Sequence, residues 1–147
     1  MKSKTILLIE DNISDVELAK RALQKGKIRS ELVVASDGQE ALDYLFGRGV
    51  YAGRDISDIP ALTLLDLKLP KISGLEVLLR IRSEKTTRRM PVVILSSSHE
   101  EQDVAAGYDL GVNSYLRKPT DFQQFVQGIE HVGTYWLTLN EPPPIAK

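Results

Sequence analysis

The chain has 147 residues, 42% hydrophobic and 27% charged, with a formal net charge of -1 and no cysteine. That length suits one domain able to bury roughly 68–70% of the surface its unfolded chain exposes. The charge balance provides no basic field for nucleic acid or anionic lipid. The lack of cysteine excludes disulfides and thiolate metal sites and fits a cytoplasmic setting. No apolar run approaches the ~20 residues a membrane span requires, and Met1-Lys2-Ser3-Lys4-Thr5 leads into too short an apolar stretch for a signal peptide.

Ile6-Leu7-Leu8-Ile9 is a continuous apolar run of strand length, the pattern of a strand covered on both faces. Ser14 and Glu17 make a capping-box pattern ahead of a helix whose apolar face carries Val16, Ala19, Ala22 and Leu23, with Gly26 near its end. Leu32 to Ala35 reads as a second strand and Gln39 to Phe46 as a second helix. Residues 47–58, with Gly47, Gly49, Gly53 and the charges Arg48, Arg54 and Asp55, read as an exposed loop. Ala61 to Leu65 is the third strand and ends at Asp66. Ser73 with Glu76 caps a third helix, Val92 to Leu95 forms the fourth strand, and Ser98 with Glu101 caps a fourth helix. Ser114 to Arg117 is the fifth strand. Thr120 and Gln123 open a long amphipathic helix in which Phe122, Phe125, Val126, Ile129, Val132 and Trp136 recur at steps of three and four. Pro142-Pro143-Pro144 cannot continue it. Residues 1–138 therefore read as one domain and 139–147 as a Pro-rich tail, flexible or interface-forming.

Five strands alternating with five helices predict an α/β fold, a doubly wound parallel sheet with helices on both faces. Sites in such folds form outside the carboxyl ends of the strands. Glu10, Asp11, Asp66, Ser96 and Lys118 all fall at those ends. Three gathered carboxylates repel one another unless a cation sits among them. A hydroxyl and an ammonium beside them suit an arriving phosphoryl group.

Oxygen donors of this type suit a hard cation, Mg2+ or Mn2+. Asp11 and Asp66 are the candidates for direct ligands, Glu10 for a ligand through water, and a backbone carbonyl near Lys68 for completing the set. Asp66 is the candidate nucleophile, since a carboxylate can attack phosphorus and form an aspartyl phosphate. Ser96 is placed to hydrogen-bond a phosphoryl oxygen, and the small Ser97 leaves access to the pocket. Lys118 would meet the phosphate as a point charge, with Pro119 holding its loop fixed, in a cis conformation if need be. Tyr115 would swing between buried and exposed positions as Ser96 moves. Taken singly, each has a plainer reading. Glu10-Asp11-Asn12 equally suits a polar turn, Ser96 to Ser98 a turn and cap, and Tyr115 ordinary packing.

Taken in order, ILLIEDN, LLDLKLPKISGLEVL, PVVILSSS and SYLRKP resemble the receiver domain of two-component response regulators, over about residues 4 to 138. The resemblance implies a flavodoxin-like receiver fold with Asp66 as phosphoacceptor and Glu10 and Asp11 serving the metal. It also implies Ser96 as switch hydroxyl, Lys118 as the family's lysine and Tyr115 as switch aromatic. Glu10 stands where Asp is commoner. The longer 47–58 loop, the long last helix and the absence of an output domain after it resemble stand-alone regulators paired with bacterial and cyanobacterial phytochrome kinases. Such regulators imply a histidine kinase partner, a downstream protein target or phosphotransfer protein, and a homodimer for which Phe122 and Trp136 are the candidate face. Their implied chemistry is self-phosphorylation and dephosphorylation rather than turnover of a substrate. Lys68 and Ser98 stand where they would gate water and tune dephosphorylation.

Three competitors share parts of this pattern. A phosphorylation-independent interaction module would have lost the acceptor or lysine, and both are intact. An aspartate-nucleophile phosphatase usually wants a second acid two residues after the nucleophile, where this chain has Lys68. A flavodoxin-like cofactor carrier would need a phosphate-binding loop after the first strand, where this chain has acids.

Overall fold

The strands β1 (Lys4–Ile9), β2 (Ser30–Ala35), β3 (Leu62–Asp66), β4 (Val92–Ser96) and β5 (Ser114–Arg117) pair in parallel in the order β2-β1-β3-β4-β5. The helices α1 (Ile13–Lys25), α2 (Gly38–Phe46), α3 (Gly74–Ser83), α4 (Glu101–Asp109) and α5 (Phe122–Thr134) cover the two faces. The computed structural model describes residues 4–25, 30–98 and 100–144, so Gly26, expected near the end of α1, lies outside the described residues. The strand order reverses between β1 and β3, which makes their carboxyl ends the switch point where α/β sheets place ligands.

Successive strand side chains point to opposite faces, and the core divides accordingly. Leu7, Ile9, Leu65, Val92 and Ile94 pack with Leu42, Leu45, Leu78 and Ile81 from α2 and α3. Ile6, Leu8, Leu64, Val93 and Leu95 pack with Ala19, Ala22, Phe125 and Ile129 from α1 and α5. β3 and β4 are buried along their whole length, whereas β2, at the edge, is half-exposed. The apolar run at 92–95, and the one at 62–65 broken only by the buried Thr63, follow from this two-sided cover.

Helix starts depart from the capping-box reading in three places. α1 is capped by Asn12, whose Oδ1 accepts from the Asp15 amide at 3.1 Å, and Ser14 lies exposed inside the helix. α4 begins after Glu100 without a side-chain cap, and Ser98 instead donates its hydroxyl to Asp103. α5 is capped by Asp121, which accepts from the amides of Gln123 and Gln124, rather than by Thr120. Each of these regions offers more than one polar side chain, and the cap is whichever residue occupies the last non-helical position. Ser73 caps α3 as expected, accepting from the Glu76 amide. After α5 the chain continues through a wider turn at Tyr135–Leu139.

The loop at 47–58 is mostly exposed but tied down. The Arg54 guanidinium sits 3.9 Å from the Tyr44 ring centroid, donates to the Tyr44 carbonyl at 2.9 Å and also donates to the Asp58 carbonyl. Tyr51 meets the same Tyr44 ring edge-on at 5.1 Å.

Candidate functional site

β1 delivers Glu10 and Asp11 to the carboxyl edge, where the Glu10 amide donates to the Ala35 carbonyl at 3.0 Å and so remains registered to β2. β3 ends in Asp66, 8% exposed. The loop after it is pressed down by Gly74, where a Cβ would lie 2.3 Å from the Asp66 carbonyl oxygen, so only glycine permits this approach. β4 ends in the buried Ser96, whose carbonyl accepts from the Lys118 amide at 2.7 Å. That bond holds the start of the Lys118 loop against β4. All peptide bonds among the described residues are trans, Lys118–Pro119 included.

These strand ends bring one carboxylate oxygen each of Glu10, Asp11 and Asp66 within 4.8 Å of one another. The Lys118 ammonium enters the cluster, with Nζ 2.5 Å from Glu10 Oε1, 2.9 Å from Asp15 Oδ2 and 3.7 Å from Asp66 Oδ1. Burial pushes the Glu10 carboxyl up to about 7. The Lys118 hydrogen bond opposes this shift, and the nearby Asp66 charge adds to it. Burial by itself pulls the Lys118 ammonium down, but its hydrogen bonds to Glu10 and Asp15 and the Asp66 charge leave it above the usual lysine range. Both shifts reflect one imbalance: several carboxylates share a single buried cation.

That imbalance is the test of fit for a divalent ion. The donors are all carboxylate oxygens, which suits Mg2+ or Mn2+, and among the described residues no histidine joins the cluster. An ion held by Glu10, Asp11 and Asp66 would supply the positive charge the cluster lacks. Lys68, whose backbone carbonyl was expected to add a ligand, has an exposed side chain in the loop directly after Asp66.

The remaining expected residues fall around this centre. Ser96 Oγ accepts from the Ser98 amide at 3.1 Å, Ser97 is exposed, and Ser98 is half-buried. Tyr115 packs against the core and donates its hydroxyl to the Ser98 carbonyl at 2.9 Å, linking β5 to the loop after β4. Phe122 is 71% exposed at the start of α5. Trp136 is half-buried, packs on the α1–α5 side of the core and lines a cavity at the opposite edge of the sheet. Asp15 was missed by sequence reasoning. It lies in the first turn of α1 rather than at a strand end, and Asp11 precedes the Asn12 cap, so no helical spacing links the two.

The geometry has close counterparts. The model of the response regulator receiver domain family matches residues 6–130. The response regulator Rcp1 of a Synechocystis species is 40% identical over 91% of this chain and 89% of its own. Its Mn2+-bound crystal structure superposes with a TM-score of 0.88, covering 95% of this chain and 99% of that one. The phosphorylated cyanobacterial phytochrome response regulator RcpA is 41% identical, with a TM-score of 0.90 over 97% of this chain and 99% of that one. The bacteriophytochrome response regulator RtBRR is 50% identical, with a TM-score of 0.77 over 99% of this chain and 87% of that one.

Proposed function

We propose, from the premise that this chain belongs to the response regulator receiver domain family, that it accepts a phosphoryl group on Asp66 from a histidine kinase. The observation that carries the reading is the Asp66 carboxylate set among Glu10, Asp11 and the Lys118 ammonium at the β1/β3 switch point. An Asp66 carboxylate oxygen attacks the phosphorus of a phosphohistidine and forms the O–P bond. The P–N bond breaks, and its electron pair stays on the imidazole, which takes up a proton. Glu10, Asp11, Asp66 and the Lys68 carbonyl would hold a divalent cation, which would supply the charge neutralisation this transfer needs. Lys118 pairs with the new phosphoryl oxygens and the Ser96 hydroxyl donates to one of them, while Ser97 leaves the approach open. Lys68 and Ser98 flank the path of the water that later hydrolyses the acyl phosphate.

Tyr115 carries the state outward. Its hydroxyl rests on the Ser98 carbonyl, two residues from Ser96, so movement of that loop releases it. The surface formed by α4, β5 and α5 then changes by population shift. Kinship with RcpA and RtBRR supports a phytochrome kinase as the phosphoryl source. In this reading output passes to a protein target or phosphotransfer protein, and the exposure of Phe122 supports a homodimer that uses Phe122 and Trp136. Among the described residues no helix is long and apolar enough to cross a membrane, which supports action in the cytoplasm. Residues 1–138 form the receiver in this reading, and 139–147 its tail.

Intact-protein mass after incubation with acetyl phosphate tests the reading. One phosphoryl adduct is expected with Mg2+, none with EDTA and none in Asp66→Asn. An adduct that persists in Asp66→Asn, or no adduct from either acetyl phosphate or a phytochrome kinase, would overturn it. The second result would favour a phosphorylation-independent interaction module.

A further inference from the structure

Lys118 is shared by three carboxylates, and the second nearest, Asp15, has no part in the phosphoryl chemistry above. We propose that Asp15 is a tether: it holds the Lys118 ammonium in the resting site and competes for it with the phosphoryl group on Asp66. This rests on the receiver reading and adds a positioning residue to it.

The contact is built in rather than incidental. Asp15 lies in the first turn of α1, where its amide donates to Asn12 Oδ1 at 3.1 Å. Val16, Ala19 and Ala22 of the same helix are buried against the sheet. The position of the Asp15 backbone is therefore fixed by packing. Lys118 reaches it from the far end of the chain, with a side chain only 13% exposed, so its donors depend on protein acceptors more than on water. An ammonium has three N–H donors. Glu10 and Asp15 are both within hydrogen-bonding distance, while Asp66 stands beyond it at 3.7 Å. In the resting site the ammonium is thus drawn toward α1 and away from the acceptor.

A phosphoryl group on Asp66 needs the same donors. Any Lys118–Asp15 contact that weakens as Lys118 turns to the phosphoryl oxygens favours the unphosphorylated arrangement by that difference. Asp15 also adds a negative charge beside an anion-accepting site. The Asp15 side chain is 23% exposed, so water screens the contact and its effect is modest.

The test uses beryllofluoride, a phosphoryl mimic that adds to the acceptor carboxylate, together with acetyl phosphate, both with Mg2+ on the full chain. Asp15→Asn is expected to bind beryllofluoride about two- to fivefold more tightly, the range of a partly exposed ion pair. It should also take up phosphoryl groups from acetyl phosphate with a lower KM and an unchanged limiting rate. Asp15→Glu, which keeps the carboxylate on the same turn, should return both values toward wild type. Glu17→Gln removes an equal charge from α1 at an exposed position where Glu17 meets Lys20 at 3.5 Å, and it should leave both unchanged. Equal or weaker beryllofluoride binding by Asp15→Asn would overturn the tether. So would an equal gain in Glu17→Gln, which would assign the effect to general charge. Failure of the wild type to bind beryllofluoride or take up a phosphoryl group would instead remove the receiver reading, and the tether with it.

Discussion

The two edges of the sheet use charge in opposite ways. At the carboxyl edge, Glu10, Asp15 and Asp66 crowd one ammonium with Asp11 beside them, and burial pushes the Glu10 carboxyl up to about 7. At the amino edge, a cavity of about 360 Å³ is walled by Met90, Trp136 and Pro142 to Pro144. The cations there grip the chain's own backbone: Lys4 donates to the Leu137 carbonyl at 2.5 Å and Arg89 to the Pro144 carbonyl at 3.2 Å. Parallel strands explain the division. Every strand enters its next loop at the same edge, so reactive side chains collect there, and the other edge is left to packing and to the returning C-terminal segment. The carboxyl edge carries unfavourable electrostatics that a ligand can relieve, while the amino edge carries contacts that are already satisfied.

The largest expected effect breaks the amino edge alone. Met90 is 2% exposed and accepts a hydrogen bond from Thr63 Oγ1 at 3.3 Å. Met90→Ala should lower stability by about 2–5 kcal/mol through the lost contacts and the space left behind. Urea denaturation would show that loss, and the folded variant should still take up a phosphoryl group at the wild-type rate.

Next in size is a pH effect confined to the carboxyl edge. Glu10 has a folded value of about 7, above its ordinary 4.5, so the folded state holds this proton more tightly than the unfolded state does. Its contribution to stability is complete below about 4.5 and is lost as pH rises through 7. In metal-free melts, wild type should lose stability relative to Glu10→Gln between about pH 5 and pH 8. Mg2+ should raise the wild-type Tm more at pH 8, where the carboxylate is free of its proton, than at pH 5.5. A Mg2+ response that is flat with pH would remove Glu10 from the ligand set.

The smallest effect separates capping charge from reactive charge at the same edge. Asp37 accepts the Glu40 amide at 2.8 Å at the start of α2, and Lys71 lies 3.3 Å away. The Glu40 amide bond, which outweighs the opposing burial penalty, and after it Lys71 hold its carboxyl below the ordinary range. A depressed value means that its stabilisation is present above the ordinary value and lost as pH falls through the folded one. Asp37→Ala should lower stability by about 1 kcal/mol at pH 7 and by less in acid, with phosphorylation unchanged. A clear loss of phosphoryl uptake would show that the cap also positions the pocket.

Much of the site was legible because parallel α/β folds translate sequence position directly into space. An acid that ends an apolar run must lie at the carboxyl edge, so Glu10, Asp11 and Asp66 could be gathered before any coordinate was known. Asp15 could not be found in this way. It meets Lys118 across 103 positions of sequence, and its place depends on how α1 packs against the sheet. The caps at Ser14, Ser98 and Thr120 failed for a related reason. Neighbouring polar residues satisfy the same local pattern, and the direction of the incoming chain selects among them. Residues 47–58 read correctly as a loop, but not as one anchored by Arg54 on Tyr44, because a cation over a ring leaves no periodic trace.

The sequence by itself determined the alternation of strands and helices, the two-sided cover of β1, and the set of residues at the strand ends. These follow from apolar periodicity and chain order, which are local properties. Only the tertiary structure decided which carboxylates share the Lys118 ammonium, how far burial raises Glu10, and where the C-terminal prolines rest. Those outcomes depend on distances between segments remote in the chain and on how much water each charge loses, and both arise only when the helices close on the sheet.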